Sequence, residues 1–423
     1  MKFIHAADIH LDSPLHRLEA YEGAPVEEVR QATRRAFENL ICLALDESVD
    51  FVLIAGDLFD GDWKDYNTGL YFISQVRRLA DAGIRLLIVS GNHDAAGTVT
   101  KMLPYPDNTH VFSAGKPETI TMNALKVAIH GQSFSKPAIT DNLALRYPEP
   151  VRGFFNIGLL HTSLTGREGH ENYAPCSVKD LQHRGYDYWA LGHVHQAEVV
   201  SDDPLIVFPG CIQGRHIRET GIKGCVLVTV DNGVVIAHEE RALDVIRWEV
   251  LTVDLTDVDH EAACLTRLKE ALDASIHRHD PLPVIVRVIF TGQTDVHDRV
   301  TGDLEYWKEA VRSTALARYG EQVWIEKVKV QTRPKPASDV PPVMTGPMQE
   351  LAQLVTDLKA DDNSLLDLGS ELTVLFQKLP VEYRRSEDAL RMDDPVCLRK
   401  IVDEAHAILK VKLAKEAAAD ENH

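Results

Sequence analysis

The chain has 423 residues, 44% hydrophobic and 26% charged, with a formal net charge of −19. That length asks for two or three domains rather than one core, and no run approaches the roughly 18 apolar residues of a membrane span. The acidic surplus excludes a broad basic surface for nucleic acid, so any grip on a phosphate backbone is local to a cleft or shared with a basic partner.

Taken in order, Lys2–Ala7 reads as a strand. After a loop with Asp12, Ser13 and Pro14, Val26–Glu47 reads as a helix, striped by Val29, Ala36, Phe37, Leu40, Ile41, Ala44 and Leu45. Asp50–Ala55 is a second strand, Tyr66–Ala82 a second helix closed by Gly83, and Ile84–Val89 a third strand running into a Gly-Asn-His-Asp turn. This β-α-β-α-β order predicts parallel strands with covering helices. From Thr109 the texture changes to short strands at Thr119–Met122, Leu125–His130, Phe155–His161, Tyr186–Leu191, Ala197–Val200 and Leu205–Phe208. A hairpin follows, Cys225–Val230 and Val234–His238 around Asp231-Asn232-Gly233. The expectation is an α/β domain over residues 1–245, two sheets face to face with helices outside, a four-layer α-β-β-α sandwich.

Residues 246–332 read as a small α+β cap: strand Arg247–Leu255, helix His260–Ile276, strand Pro283–Phe290, helix Gly302–Tyr319 and strand Gln322–Gln331. Residues 333–347 carry five prolines and form a stiff linker. Residues 348–423 form a helical C-terminal tail, with helices at Met348–Lys359, Ser364–Lys378 and Pro395–Ala419. Its apolar stripes fit equally a tail packed on the cap and one that docks a partner helix.

Five apolar runs end abruptly in Asp, Asn or His: Ala7-Asp8-Ile9-His10, Ala55-Gly56-Asp57-Leu58, Ser90-Gly91-Asn92-His93-Asp94, Leu160-His161-Thr162 and Leu191-Gly192-His193-Val194-His195. Ligands in open α/β sheets sit at the carboxyl ends of strands, so these ends converge on one edge. Taken singly each motif is ordinary; a Gly-Asp pair is usually a turn and a lone histidine usually a core residue. All five in order make a metal site. Asp, His and Asn without Cys suit divalent ions such as manganese, iron or zinc and argue against a structural zinc site. There are more ligands than one ion needs, and a bridging carboxylate between two ions uses them all. His93, oriented by Asp94, then serves to stabilise an oxyanion or protonate a leaving group.

This ordered set, D-x-H, G-D, G-N-H-D, H and G-H-x-H, resembles the calcineurin-like metallophosphoesterase superfamily. Within it the chain resembles the SbcD-type nucleases of DNA double-strand-break repair, and most nearly their YhaO-like branch. The narrower likeness lies in Ile4–Ser13, Ala55–Asp60, Gly192–His195, Phe208-Pro209-Gly210 and Gly221–Cys225. The resemblance implies one ion held by Asp8, His10, Asp57 and His195, and another by Asp57, Asn92, His161 and His193. His93 then faces the scissile phosphate with Asp94 behind it.

The family implies manganese, two divalent ions, exonuclease with endonuclease activity on DNA, an SMC-like ATPase of the SbcC type as partner, and a homodimer. In some relatives a histidine stands where this chain has Asp60, so that residue's part in positioning DNA does not carry over. Arg215, His216, Arg218 and Lys223 are the candidate local phosphate contacts, against their reading as a solvated loop. The rival functions are another phosphoesterase of the superfamily, acting on cyclic nucleotides or phosphoproteins, and a non-catalytic regulator of the ATPase. Six scattered cysteines without a CxxC pair, and a first strand beginning at Lys2, predict a cytoplasmic protein without a signal peptide.

Overall fold

The structure, a computed structural model, describes residues 1–13, 26–60, 66–96, 104–164, 173–335, 347–379, 384 and 390–420. The chain divides into two compact units, Met1–Glu249 with His279–Ile285, and Val250–Arg278 with Val286–His423.

In the first unit the opening elements are β1 (Lys2–Ala6), α1 (Val26–Asp46), β2 (Phe51–Ala55), α2 (Tyr66–Asp81) and β3 (Arg85–Val89). The expected Gly-Asn-His-Asp turn winds into a short helix, α3 (Asn92–Ala96), and is followed by β4 (Thr109–Val111). Next come β5 (Glu118–Met122), β6 (Val127–Gly131), β7 (Phe155–His161), α4 (Val178–Gln182), β8 (Tyr188–Gly192), β9 (Glu198–Asp202) and β10 (Leu205–Phe208). The hairpin β11 (Gly224–Asp231) and β12 (Val234–Ala242) turns through Asn232 and Gly233, both at positive φ (49° and 78°), as a two-residue type I′ turn requires.

Two six-stranded sheets result, ordered β12-β11-β1-β2-β3-β4 and β5-β6-β7-β8-β10-β9. In the first, β1 to β4 run parallel; in the second, β6, β7, β8 and β10 do. The reason these strands read as unbroken apolar runs is that both faces of each sheet are covered. Phe51, Leu53 and Ala55 of β2 point to the interior between the sheets, with Ile157 and Leu159 of β7 and Tyr188 and Ala190 of β8. Val52 and Ile54 point the other way, onto Phe37, Leu40 and Ile41 of α1 and Phe72 and Val76 of α2. On the far side Leu160, Trp189 and Leu191 pack under Leu143, Tyr147 and Leu181. These are the four layers, each fully buried aliphatic or aromatic side chain contributing roughly 1.5–3 kcal/mol.

The second unit holds most of a three-stranded sheet, β13-β14-β16, from β13 (Arg247–Asp254), β14 (Val284–Thr291) and β16 (Val323–Val330), with helix α5 (Glu261–His279) between the first two in sequence. A two-residue strand β15 (Gln293–Thr294) pairs in parallel with β17 (Arg333–Pro334), at the start of the expected linker. Of that linker, residues 336–346 lie outside the described residues. The helix expected over Gly302–Tyr319 forms as α7 (Leu304–Tyr319), and an unexpected short helix, α6 (His297–Gly302), precedes it. Asp303 leaves helical dihedrals (φ −138°, ψ 65°) and caps α7 by accepting from the Tyr306 backbone N–H at 3.2 Å. The tail forms α8 (Pro347–Ala360), α9 (Asp362–Phe376) and α10 (Pro395–Asp420). Their stripes meet one another: Val355, Leu365, Leu398 and Val402 form a small core with Leu351, Leu358 and Ile401 against it. Among the described residues, no helix is long and apolar enough to cross a membrane.

Candidate metal centre

The parallel strands of each sheet deliver their carboxyl ends to one edge, and the ladder between β1 and β2 continues past both strands. Asp8 N–H donates to Gly56 O, His10 N–H to Asp57 O and Leu11 N–H to Leu58 O, each at 3.0 Å. The second sheet joins at the same edge through His161, whose Nδ1 meets Ala55 O at 2.9 Å. The backbone there is strained. Asp8, His10, Asp57 and His193 all have positive φ (50°, 44°, 52° and 105°), a region that residues other than glycine seldom occupy. Such strain persists where surrounding structure over-determines it, and it gathers at functional sites.

Among the described residues, four overlapping groups have ligand atoms within 4.8 Å of one another: besides His10 with Asp60 and His93, and His195 with Cys211 and Glu219, there are the two made only of expected ligands, Asp8, His10 and His195, and Asp57, His161 and His193. Asp57 belongs to both in effect, since its Oδ2 lies 3.8 Å from His10 Nε2 and 3.5 Å from His161 Nε2. Asn92 Oδ1 completes the second group, 2.9 Å from His161 Nε2. All seven expected ligands are therefore brought together.

The donor chemistry fits divalent cations. His10 Nδ1 donates to Asp60 and His195 Nδ1 to Glu219, both at 2.6 Å, so both present Nε2 inward, 3.3 Å apart. Two lone pairs at that separation are satisfied only by a shared proton or by a cation. Burial pushes the His161 imidazole down to about 3 and, with the charge of Arg215, His10 down to about 4, keeping both neutral as ligands must be. Burial works against the proton on His195 too, but the hydrogen bond to Glu219 and the charge of Asp8 outweigh it and raise that group. Burial, reinforced by the charge of Asp57, lifts Asp8 to about 7. A raised Asp8 and a raised His195, with neutral His10 and His161 beside them, mark a pocket that takes up positive charge.

His93 stands on the open side, its side chain 46% exposed. The carboxylate behind it is Asp60, with Oδ1 3.0 Å from His93 Nδ1, and not the expected Asp94. Asp94 is buried and accepts from the backbone N–H groups of Leu58 (3.2 Å), Phe59 (2.9 Å) and Gly91 (2.9 Å), clamping the loops after β2 and β3 together. Its neighbouring position in sequence does not aim it at the ring, because α3 turns the two side chains apart. The hydrogen bond to Asp60 raises His93 to about 9, the charge of Asp57 adding to it.

The loop cations also differ from expectation. Arg215 is turned inward, its side chain 14% exposed, donating to Glu219 at 3.1 Å and to Ser13 Oγ at 3.2 Å. Lys223 is buried and donates to the backbone carbonyl of His195 at 3.1 Å. Both are turned onto protein partners. His216 and Arg218 are exposed, His216 lying 3.5 Å from Glu219. Sequence reasoning missed Asp60 and Glu219 as ligand-orienting carboxylates. Asp60 had one usable signal, its place three residues after Asp57; Glu219 had none.

Comparison with known proteins gives the family. The family described as "Calcineurin-like phosphoesterase" matches residues 1–197, and "Metallophosphoesterase YhaO, middle domain" matches residues 248–333. Fold and site together define a metallophosphoesterase, a class of hydrolase whose architecture implies divalent metal ions. A Bacillus subtilis protein named "Uncharacterized metallophosphoesterase YhaO" is 33% identical over 98% of each chain. The chain belongs to this YhaO-like family of calcineurin-like metallophosphoesterases. More distant relatives include the "DNA double-strand break repair protein Mre11" of Sulfurisphaera tokodaii, 24% identical over 65% of this chain and 70% of that protein. A component of the nuclease SbcCD of Escherichia coli K12 is 26% identical over 61% of this chain and 72% of that protein.

Proposed function

We propose that the chain is a two-metal DNA phosphodiesterase, an exonuclease with endonuclease activity that works in DNA repair beside an SMC-like ATPase. The observation that carries the two-metal reading is Asp57, whose single carboxylate oxygen faces a histidine of each ligand group. In this reading Asp8, His10, Asp57 and His195 hold one ion and Asp57, Asn92, His161 and His193 the other, manganese being the family's metal. Bound there, the ions supply an activated water and neutralise charge on a phosphoryl group.

The chain's own residues do the rest. Asp60 and Glu219 fix the tautomers of His10 and His195 so that Nε2 of each faces inward. His93, exposed and carrying a proton at neutral pH, is the group able to donate hydrogen bonds to a phosphoryl oxygen or a proton to the leaving alkoxide. The choice of DNA over smaller esters is supported by the names of the Mre11 and SbcCD relatives. With net charge −19 and with Arg215 and Lys223 turned inward, the extended grip on DNA falls to the partner.

Incubation with manganese tests this, comparing linear duplex DNA with a small phosphodiester, with and without the neighbouring ATPase. Cleavage of duplex DNA, stimulated by the ATPase, is expected. Turnover of the small ester alone would leave a phosphoesterase with a different substrate.

A further inference from the structure

Behind the candidate ligands lies a second layer of charge, joined by one buried cation. Glu219 is 4% exposed; its Oε1 accepts from His195 Nδ1 at 2.6 Å, and its Oε2 accepts from the Arg215 backbone N–H at 2.7 Å. Across the site, Asp60 Oδ1 accepts from His10 Nδ1 at 2.6 Å. The Arg215 guanidinium spans the gap between these carboxylates. Nη2 donates to Glu219 Oε1 at 3.1 Å, and Nη1 lies 3.6 Å from Asp60 Oδ2. Lys223 closes the frame by donating to the His195 carbonyl at 3.1 Å.

Every member of this frame backs the same ligand group, Asp8, His10 and His195. The other group is oriented differently, since His161 takes its direction from the Ala55 carbonyl, a main-chain atom at the end of β2. We propose that Arg215 and Glu219 are positioning residues for the first group alone, so that its ion depends on a side-chain frame while the ion at His161 depends on the backbone. The inference rests on the two-ion reading.

The physics favours an arginine at this point. Two carboxylates brought into one desolvated pocket repel each other, and a planar guanidinium spans them with two separate terminal nitrogens where a lysine has one. A carboxylate accepting from a ligating imidazole also raises its basicity and fixes its ring, and removing such a partner typically weakens metal binding 10- to 100-fold.

Manganese titration of the full chain, followed by calorimetry and electron paramagnetic resonance, tests this. The parent chain binds two ions. Glu219→Gln is expected to hold one ion at parental affinity and the other roughly 10- to 100-fold more weakly. The remaining ion's spectrum should match that of a His195→Asn variant and differ from that of His161→Asn. Arg215→Lys keeps both carboxylates and the positive charge but loses the fork. It should weaken the same ion to a smaller degree, and it supplies the comparison if Glu219→Gln does not fold. A Glu219→Gln chain that binds both ions at parental affinity, or weakens both alike, overturns the inference while leaving the two-ion site intact. A parent chain that binds a single ion overturns the two-ion reading and this inference with it.

Discussion

His93 Nδ1 lies 3.0 Å from Asp60 Oδ1, the same oxygen that accepts from His10 Nδ1 at 2.6 Å. One carboxylate thus orients a candidate ligand and the candidate proton donor together. The hydrogen bond to Asp60 raises His93 to about 9, so the ring stays protonated through neutrality and loses its proton as pH rises through that value. Activity that needs the protonated ring therefore holds to about pH 9 and falls above it. In Asp60→Asn the alkaline limb should move down toward the ordinary imidazole range near 6.5, with kcat at pH 8 lower by roughly 30-fold. A pH-rate profile checks this. An alkaline limb that stays near 9 in the variant would remove Asp60 from the mechanism.

Asp57 gives the second prediction. Its Oδ2 lies 3.8 Å from His10 Nε2 and 3.5 Å from His161 Nε2, one ring of each group. A ligand that binds only the folded state at 100 times its Kd stabilises it by about 2.7 kcal/mol, so two ions should raise the melting temperature clearly. Asp57→Asn should abolish that metal-induced rise while leaving the metal-free melting temperature within a few degrees. Thermal melts with and without manganese read this out, and a variant that kept half the rise would mean that one ion does not need the bridge.

Much of this edge was legible in the sequence because ligands at strand ends follow a pattern that needs no knowledge of packing. Buried strands read as apolar runs, and each run stopped at the residue that turns into the site. What was not legible depended on partners distant in sequence or on elements too short to show a period. Glu219 and His195 are 24 positions apart, and His10 and Asp60 are 50 apart. No local spacing marks such a pair. Helices α3 and α4, of five residues each, never complete a second turn of amphipathic pattern. The inward turn of Arg215 and Lys223 is not visible in the sequence, because cations in a glycine-rich loop are ordinarily solvated and only the fold reveals that this loop passes behind His195.

Gly192 yields a prediction about the scaffold. It ends β8 in the second sheet, and a Cβ there would run into the carbonyl of Ala55, the last residue of β2 in the first sheet. The obstacle is main chain, so no side-chain rotation relieves it. Gly192→Ala should part the two sheets at the edge that carries the ligands. Destabilisation of about 1–3 kcal/mol is expected from overpacking of this kind, with weakened binding of manganese. Urea unfolding together with metal titration checks both. Unchanged stability would mean that the sheets have slack at this edge.

His5 provides a pH test set one strand turn away from the ligands. It is fully buried on β1, with Nδ1 2.9 Å from the Tyr188 hydroxyl and Nε2 3.1 Å from the Leu191 carbonyl. Burial lowers the group to about 3, the hydrogen bond to Leu191 only partly opposing it. The sign follows from linkage. Between about pH 3 and the ordinary value of 6.5 the unfolded chain binds a proton at this residue that the folded chain refuses, so stability falls as pH falls across that window and is constant above it. The slope from this one group is about 1.4 kcal/mol per pH unit. Asp8 and Asp94, lifted to about 7 by burial, act in the opposite direction in metal-free protein, while His10 and His161 act in the same direction as His5. All four remain in a His5→Gln variant, so the difference between parent and variant isolates His5. Urea midpoints measured in chelator from pH 7.5 to pH 5 should show the parent losing its lead over the variant below pH 6.5, whereas two parallel curves would mean that His5 is protonated in the folded protein.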